Sequence, residues 1–179
     1  MIYVVRHGQT DWNKEGRLQG RHGLPLNETG IRQAGELNKQ LASITFDYVI
    51  SSPQARAIQT AEITSGLPAA IDERLDVFDL GEADGIRRSE VTLAGPIPDA
   101  SIYKGVEDIE SFVQRVFSFM KELEARFGQS EANILLSGHR CTTGCIGAYF
   151  EGILEDRNIL RYSSENGAFK TYTFGSAAS

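Results

Sequence analysis

Residues Tyr3–Asn13 read YVVRHGQTDWN. The segment Ile2–Val5 is apolar and rich in β-branched residues, the composition of a short buried strand. It stops on Arg6-His7-Gly8, and polar residues follow. The same tripeptide returns as Arg21-His22-Gly23, so two of the chain's three histidines share one local sequence. The first copy follows a predicted strand. The second lies in a glycine-rich loop between Gly20 and Pro25 and follows none.

Working outward, Asn27 is positioned to cap a helix running to Leu41, with Ile31, Ala34, Leu37 and Leu41 on its apolar face. DYVISS (47–52) is a second strand, and Pro53 suits the first turn of a helix reaching Ser65. Asp108 to Phe127 is a long helix whose stripe is Ile109, Phe112, Val113, Val116, Met120, Leu123 and Phe127, with Gly128 as its stop. NILLSG (133–138) is a third strand, followed by His139 and a helix to Tyr149. Ile159–Tyr162 and Phe169–Phe174 read as closing strands. Strands alternating with helices predict an α/β fold, a three-layer sandwich with a mostly parallel central sheet flanked by helices. At 179 residues one domain is expected, covering 1–175, with 176–179 as a tail. The aperiodic stretch 87–105, which holds Pro96, Pro98, Tyr103 and Lys104, reads as a lid or specificity loop.

Hydrophobic residues make up 41% of the chain, which argues for a folded domain, and the net charge of −6 argues against a nucleic-acid or anionic-membrane binder. The apolar N-terminal run is too short for a signal-peptide core, and nothing approaches the ~20 apolar residues of a membrane helix. Two cysteines are too few for a disulfide framework, so a cytoplasmic location is expected. Cys141 and Cys145 follow His139, but a tetrahedral zinc site needs a fourth ligand and usually tighter spacing. They are read as small buried hydrophobes, and no metal is expected.

In open α/β sheets, ligands bind beyond the carboxyl ends of the strands. Arg6-His7-Gly8, Ser51-Ser52 leading into Arg56, and Gly138-His139 each follow a strand, so all three can face one crevice. Arg6, His7, Arg56 and His139 there would suit a tetrahedral anion, because guanidinium donors match phosphate oxygens in a planar fork. Backbone N–H groups near Gly8 and at helix starts add donors. Histidine is a covalent nucleophile, and phosphoryl transfer needs mainly positioning and charge stabilisation.

VVRHGQTDWN resembles the signature of the histidine phosphatase superfamily, the phosphoglycerate-mutase-like group. RLQGRHGLPLNETGIRQA (17–34), ISSPQARAIQTAE (50–62) and LLSGHRC (135–141) resemble its other segments, in the family's order. The resemblance implies that His7 is phosphorylated, that Arg6 and Arg56 grip the phosphate and that His139 completes the pocket. It implies that Asn13 contacts the transferred group and that Gln9, Thr10, Gln19 and Gly20 border the substrate. It implies no metal and no organic cofactor. Arg21 is expected at the pocket mouth; His22 is expected to be an ordinary loop residue. Arg140 stands where the family often has a small residue. It either adds charge to the pocket or sits solvated at a helix start.

The family places a glutamate, the proton donor, four residues before a glycine in a stretch similar to LDVFDLGEADG (75–85). That position holds Val77. Glu82 and Asp84 match other acidic positions. In an extended segment Asp79 has the phase of residue 77, about 7 Å along the chain, and is the expected acid. Asp76 is the alternative. The implied function is a metal-independent phosphatase acting on a small phosphorylated metabolite through phosphohistidine. A phosphoglycerate mutase is the closest rival, and a phospho-ligand binder without the acid is a rival of another class.

Overall fold

The computed structural model describes residues 1–153, 155–156 and 158–175; the predicted tail lies outside them. Its elements are β1 (Ile2–Arg6), α1 (Asp11–Lys14), α2 (Glu28–Gln40), β2 (Tyr48–Ser51), α3 (Ala55–Ser65), β3 (Ala70–Ile71), β4 (Leu93–Ala94), β5 (Ile97–Pro98), α4 (Ile109–Phe127), β6 (Ile134–Gly138), α5 (Arg140–Glu151) and β7 (Phe169–Tyr172). Among the described residues five strands form one sheet in the order β3-β2-β6-β1-β7. The pairs β1–β6, β2–β6 and β2–β3 are parallel, and only β7 runs antiparallel, against β1. This is the predicted α/β fold with a mostly parallel sheet between helices.

The alternation of β1 builds two cores. Ile2 and Val4 face α4 and α5, where they meet Phe112, Val116, Met120 and Ile146. Tyr3 and Val5 face the other side, with Leu37, Leu41, Val49 and Ala61. Side chains of a strand point alternately to the two faces, so one apolar run serves both layers. No helix among the described residues is long and apolar enough to cross a membrane.

Several details differ from expectation. Asn27 caps α2 by accepting from the Gly30 N–H, but Ile31 is 48% exposed. The buried stripe is Gly30, Ala34 and Leu37 instead, because the helix is pressed against the chain at its glycine. Pro53 lies outside α3, whose N-cap is Gln54. The α4 stripe also includes Phe119. Residues 159–162 form turns, not a strand. They are apolar because Ile159 is buried against α5; a Cβ on Gly144 would collide with the Ile159 carbonyl. Within 87–105 the chain forms a small antiparallel ribbon, β4 with β5.

Candidate active site

The three inner strands end level. Arg6 pairs with Gly138 and Ser51 with Ser137. Each ladder runs one bond further, from His7 N to Gly138 O at 2.9 Å and from Ser52 N to Ser137 O at 3.0 Å. Sheet register thus sets His7, Ser52 and His139 side by side. Gly8 is required by packing: an added Cβ would stand 2.6 Å from the Gly30 carbonyl oxygen of α2. The Gly8 N–H donates to Thr60 Oγ1 at 3.0 Å.

His7 Nδ1 lies 2.7 Å from the Gly8 carbonyl. A carbonyl oxygen only accepts, so Nδ1 carries the proton and a neutral ring keeps its lone pair on Nε2. His139 Nε2 meets Ser52 Oγ at 2.7 Å, and the two imidazole centroids are 5.2 Å apart at 63°. Arg6 Nη1 donates to Ser164 O at 3.0 Å, and Arg56 Nη2 to Gly20 O at 2.8 Å. Five buried side-chain polar atoms have no partner among the described residues: Arg6 Nε, Gln19 Nε2, Arg56 Nε, His139 Nδ1 and the Thr64 hydroxyl. The first four belong to the site. Buried polar atoms without partners are costly, and three of these sit on Arg6, Gln19 and His139, which line one pocket with His7; such a lining suits an oxyanion.

Burial, then the Arg56 charge, hold both imidazoles well below the usual histidine range. Arg6 is lowered to about 10 by burial and by Arg140, and Arg56 to about 10 by burial; both stay charged at neutral pH. Depression of a base means that the folded protein declines a proton which the unfolded chain accepts. Stability therefore falls as pH drops below about 6.5. In an NMR titration of the imidazoles, the His7 and His139 signals are expected to remain neutral through pH 6.5. A midpoint at or above 6.5 for either would contradict the burial argument.

One pocket opens over these groups. Arg6, His7, Asn13, Gln19 and His139 line its base, and Leu18, Val77, Phe78, Leu80, Ile97 and Pro98 form an apolar wall. The structure therefore brings together His7, Arg6, His139, Asn13 and Gln19. Arg56 is wholly buried and is not among the residues that line the pocket, but its charge acts on both imidazoles.

Other predicted contacts serve the fold instead. Gln9 N donates to Gln33 Oε1, and its own Oε1 accepts from Asn27. Thr10 caps α1, and its hydroxyl donates to Gln19 Oε1 at 2.9 Å. Gly20 is tied to Asp84 at 2.8 Å. Arg21 turns away to Asp76 and Asp79, at 3.5 and 3.7 Å. His22 is exposed, with only its backbone N–H held by Asp84.

Neither Asp79 nor Asp76, the residues expected to supply the acid, is among those that line the pocket. Asp79 Oδ1 accepts from the Gly81 N–H at 3.0 Å; Asp76 Oδ1 accepts from Gln54 at 2.9 Å and from the Val77 N–H at 2.7 Å. Both carboxylates face Arg21, and Val77 itself faces the pocket. Among the described residues, none that lines the pocket is a carboxylate. Cys141, read as a buried hydrophobe, lines it too.

Sequence reasoning missed Ser52 as the partner of His139; its signal was the polar pair that ends β2. It missed Asn166, which donates to His7 O at 3.0 Å, and the arginines Arg17 and Arg88, which line the pocket with Arg140.

A profile of the histidine phosphatase superfamily (branch 1) matches residues 2–176. The chain belongs to that superfamily. It is 31% identical over 140 residues to "Uncharacterized phosphatase PhoE" of Bacillus subtilis, spanning 76% of this chain and 71% of that protein. It is 32% identical over 170 residues to "Probable phosphoglycerate mutase GpmB" of Salmonella arizonae, spanning 85% of this chain and 75% of that protein. The alpha-ribazole phosphatase from Shigella flexneri superposes with a TM-score of 0.78 at 25% identity, covering 94% of this chain and 87% of that one.

Proposed function

We propose that the protein is a cytoplasmic phosphatase of a small phosphomonoester, working through a phosphohistidine on His7. The observation that carries this reading is the set of unpartnered buried polar atoms on Arg6, Gln19 and His139, which line one pocket with His7, whose Nε2 is the nitrogen left free to attack. Nε2 bonds to phosphorus as the ester P–O bond breaks and the leaving oxygen takes the electron pair. Arg6, Arg56 and His139 stabilise the oxygens of the transferring group. Water then attacks the phosphohistidine, phosphate leaves, and His7 recovers its lone pair. The guanidinium groups supply the positive charge, and no metal is assigned a role. Residues 87–105 serve as the specificity loop, since Leu93, Pro96, Ile97 and Pro98 lie in the pocket wall.

The name of the Salmonella relative makes a mutase the second reading. Given 3-phosphoglycerate and a bisphosphorylated primer, the protein should release phosphate about tenfold or more faster than it forms the 2-isomer, a barrier difference of about 1.4 kcal/mol. Isomer formation outrunning phosphate release would favour the mutase. Release from no ester at all would leave a phospho-ligand binder.

A further inference from the structure

His139 Nε2 lies 2.7 Å from Ser52 Oγ, and both residues are buried. Burial, then the Arg56 charge, hold this imidazole well below the usual histidine range, so it is neutral at neutral pH. A neutral imidazole carries one proton, and the partner of one nitrogen sets the state of the other. The pair can be arranged in two ways. In the first, Nε2–H donates to Ser52 Oγ. The Ser52 hydroxyl hydrogen then has no acceptor among the described residues, and Nδ1 buries a lone pair without a donor. In the second, the Ser52 hydroxyl donates to Nε2, and Nδ1 carries the proton. The Gln54 N–H donates to Ser52 Oγ at 3.3 Å. It fills one lone pair of the oxygen and leaves the hydroxyl hydrogen free to point at Nε2. The only group then left unpaired is the Nδ1–H. Each buried polar group without a partner costs free energy, so one such group is favoured over two. His139 lines the pocket with His7, their ring centroids 5.2 Å apart. Towards an anion there, a lone pair on Nδ1 would be repulsive and an N–H attractive.

We propose that Ser52 is a positioning residue that fixes the tautomer of His139, keeping the proton on Nδ1 so that this N–H donates to an oxygen of the phosphoryl group at His7. The two imidazoles then carry their protons on the same nitrogen and present opposite ends. His7 is held at Nδ1 by the Gly8 carbonyl and offers the Nε2 lone pair. His139 is held at Nε2 by Ser52 and offers the Nδ1 proton. One attacks phosphorus and the other binds oxygen, with no charge needed on either ring. The Gln54 N–H that orients the hydroxyl belongs to the N-cap of α3, the helix that carries Arg56. One helix start thus aims both the guanidinium and, through Ser52, the imidazole. The donor role rests on the phosphatase reading; the tautomer itself does not.

The test reads the tautomer directly, from the imidazole ¹⁵N shifts of the labelled protein. In the wild type, His139 is expected to show a protonated Nδ1 and a bare Nε2. The reverse pattern overturns the proposal whatever the variants do. In Ser52→Ala the proton should divide between the two nitrogens or move to Nε2. With phenyl phosphate, kcat should fall about tenfold or more, short of the roughly 10²–10³-fold that outright removal of an oxyanion donor costs. Ser52→Thr, which keeps a hydroxyl, should restore the Nδ1–H tautomer and most of that rate. Melting curves establish that both variants fold; if either does not, the wild-type shifts decide alone. A rate loss in Ser52→Ala with the tautomer unchanged gives the serine a packing role only and overturns the proposal. A moved tautomer with an unchanged rate overturns the donor role of Nδ1. The readout free of turnover is titration with inorganic phosphate, which should shift the His139 Nδ1 signal while that nitrogen stays protonated. If no ester is hydrolysed but the tautomer and the phosphate-induced shift are as expected, the phosphatase reading falls and the role of Ser52 stands.

Discussion

His7→Ala is expected to lower phosphate release by about 10⁴-fold or more and to eliminate acid-labile phosphoenzyme, because it removes the only atom that forms the covalent bond. His22→Ala, in the identical tripeptide, is expected to stay within about threefold of wild type, the scale of an exposed loop change. The contrast comes from position. His7 is 3% exposed with its Nδ1 fixed on Gly8, whereas the loop holds His22 by its backbone. Phosphate release and phosphoenzyme trapping on both variants, with melting curves to establish folding, decide the matter. Equal losses would remove His7 from its role.

The second large effect concerns the leaving group. Val77 faces the pocket and no carboxylate lines it among the described residues, so none of them sets a carboxylic acid beside the departing alkoxide. Such help is worth roughly 10²–10⁴-fold. Nitrophenyl phosphate, whose oxygen leaves unaided, should therefore be hydrolysed faster than an alkyl phosphate by a factor in that range. Val77→Glu should raise alkyl phosphate turnover by about 10²-fold and change the nitrophenyl rate little. Val77 is 4% exposed, and a carboxyl placed there would be pushed upward by burial, towards the protonated form a donor needs. Asp76→Asn and Asp79→Asn should cause no loss confined to the alkyl ester, since Arg21 and backbone N–H groups occupy both carboxylates. A selective alkyl loss in Asp79→Asn would reinstate it as the acid.

What the sequence disclosed follows from what periodicity carries. Ile2–Val5 and the Ile-Leu-Leu of NILLSG are legible as strands because burial on both faces makes them continuously apolar, and DYVISS, with Tyr48 exposed, is legible from its run of β-formers. The long helix is legible because its stripe repeats at helical spacing. Strand ends then locate the crevice without any contact being known. Three things stay hidden. The face of α2 was misjudged at Ile31 because the close approach of Gly30 to Gly8, set by packing, rotates the stripe. Ile159 and Leu160 look like strand residues because burial beneath a turn selects the same side chains as burial in a sheet. Ser52 and its partner His139 lie far apart along the chain, as do Arg88 and Arg140, which line one pocket, and no local pattern encodes which distant polar groups come together. For the same reason Gln9, Thr10 and Gly20 lie in the right segments yet hold the loop together instead of facing the pocket.

The antiparallel edge strand has a consequence for the order of manufacture. The turn before β7 closes on His7: Asn166 holds its carbonyl across 159 residues of chain, Gly167 N donates to the carbonyls of Arg6 and His7, and Arg6 N donates to Ala168 O. Ser164 likewise receives the Arg6 guanidinium. The ribosome thus makes His7 long before the residues that hold it. At about 5–20 residues per second, those 159 residues take roughly 10–30 s. During that interval the nascent chain carries His7 without the backbone that fixes it, and a chain interrupted before residue 164 lacks every one of these contacts to Arg6 and His7.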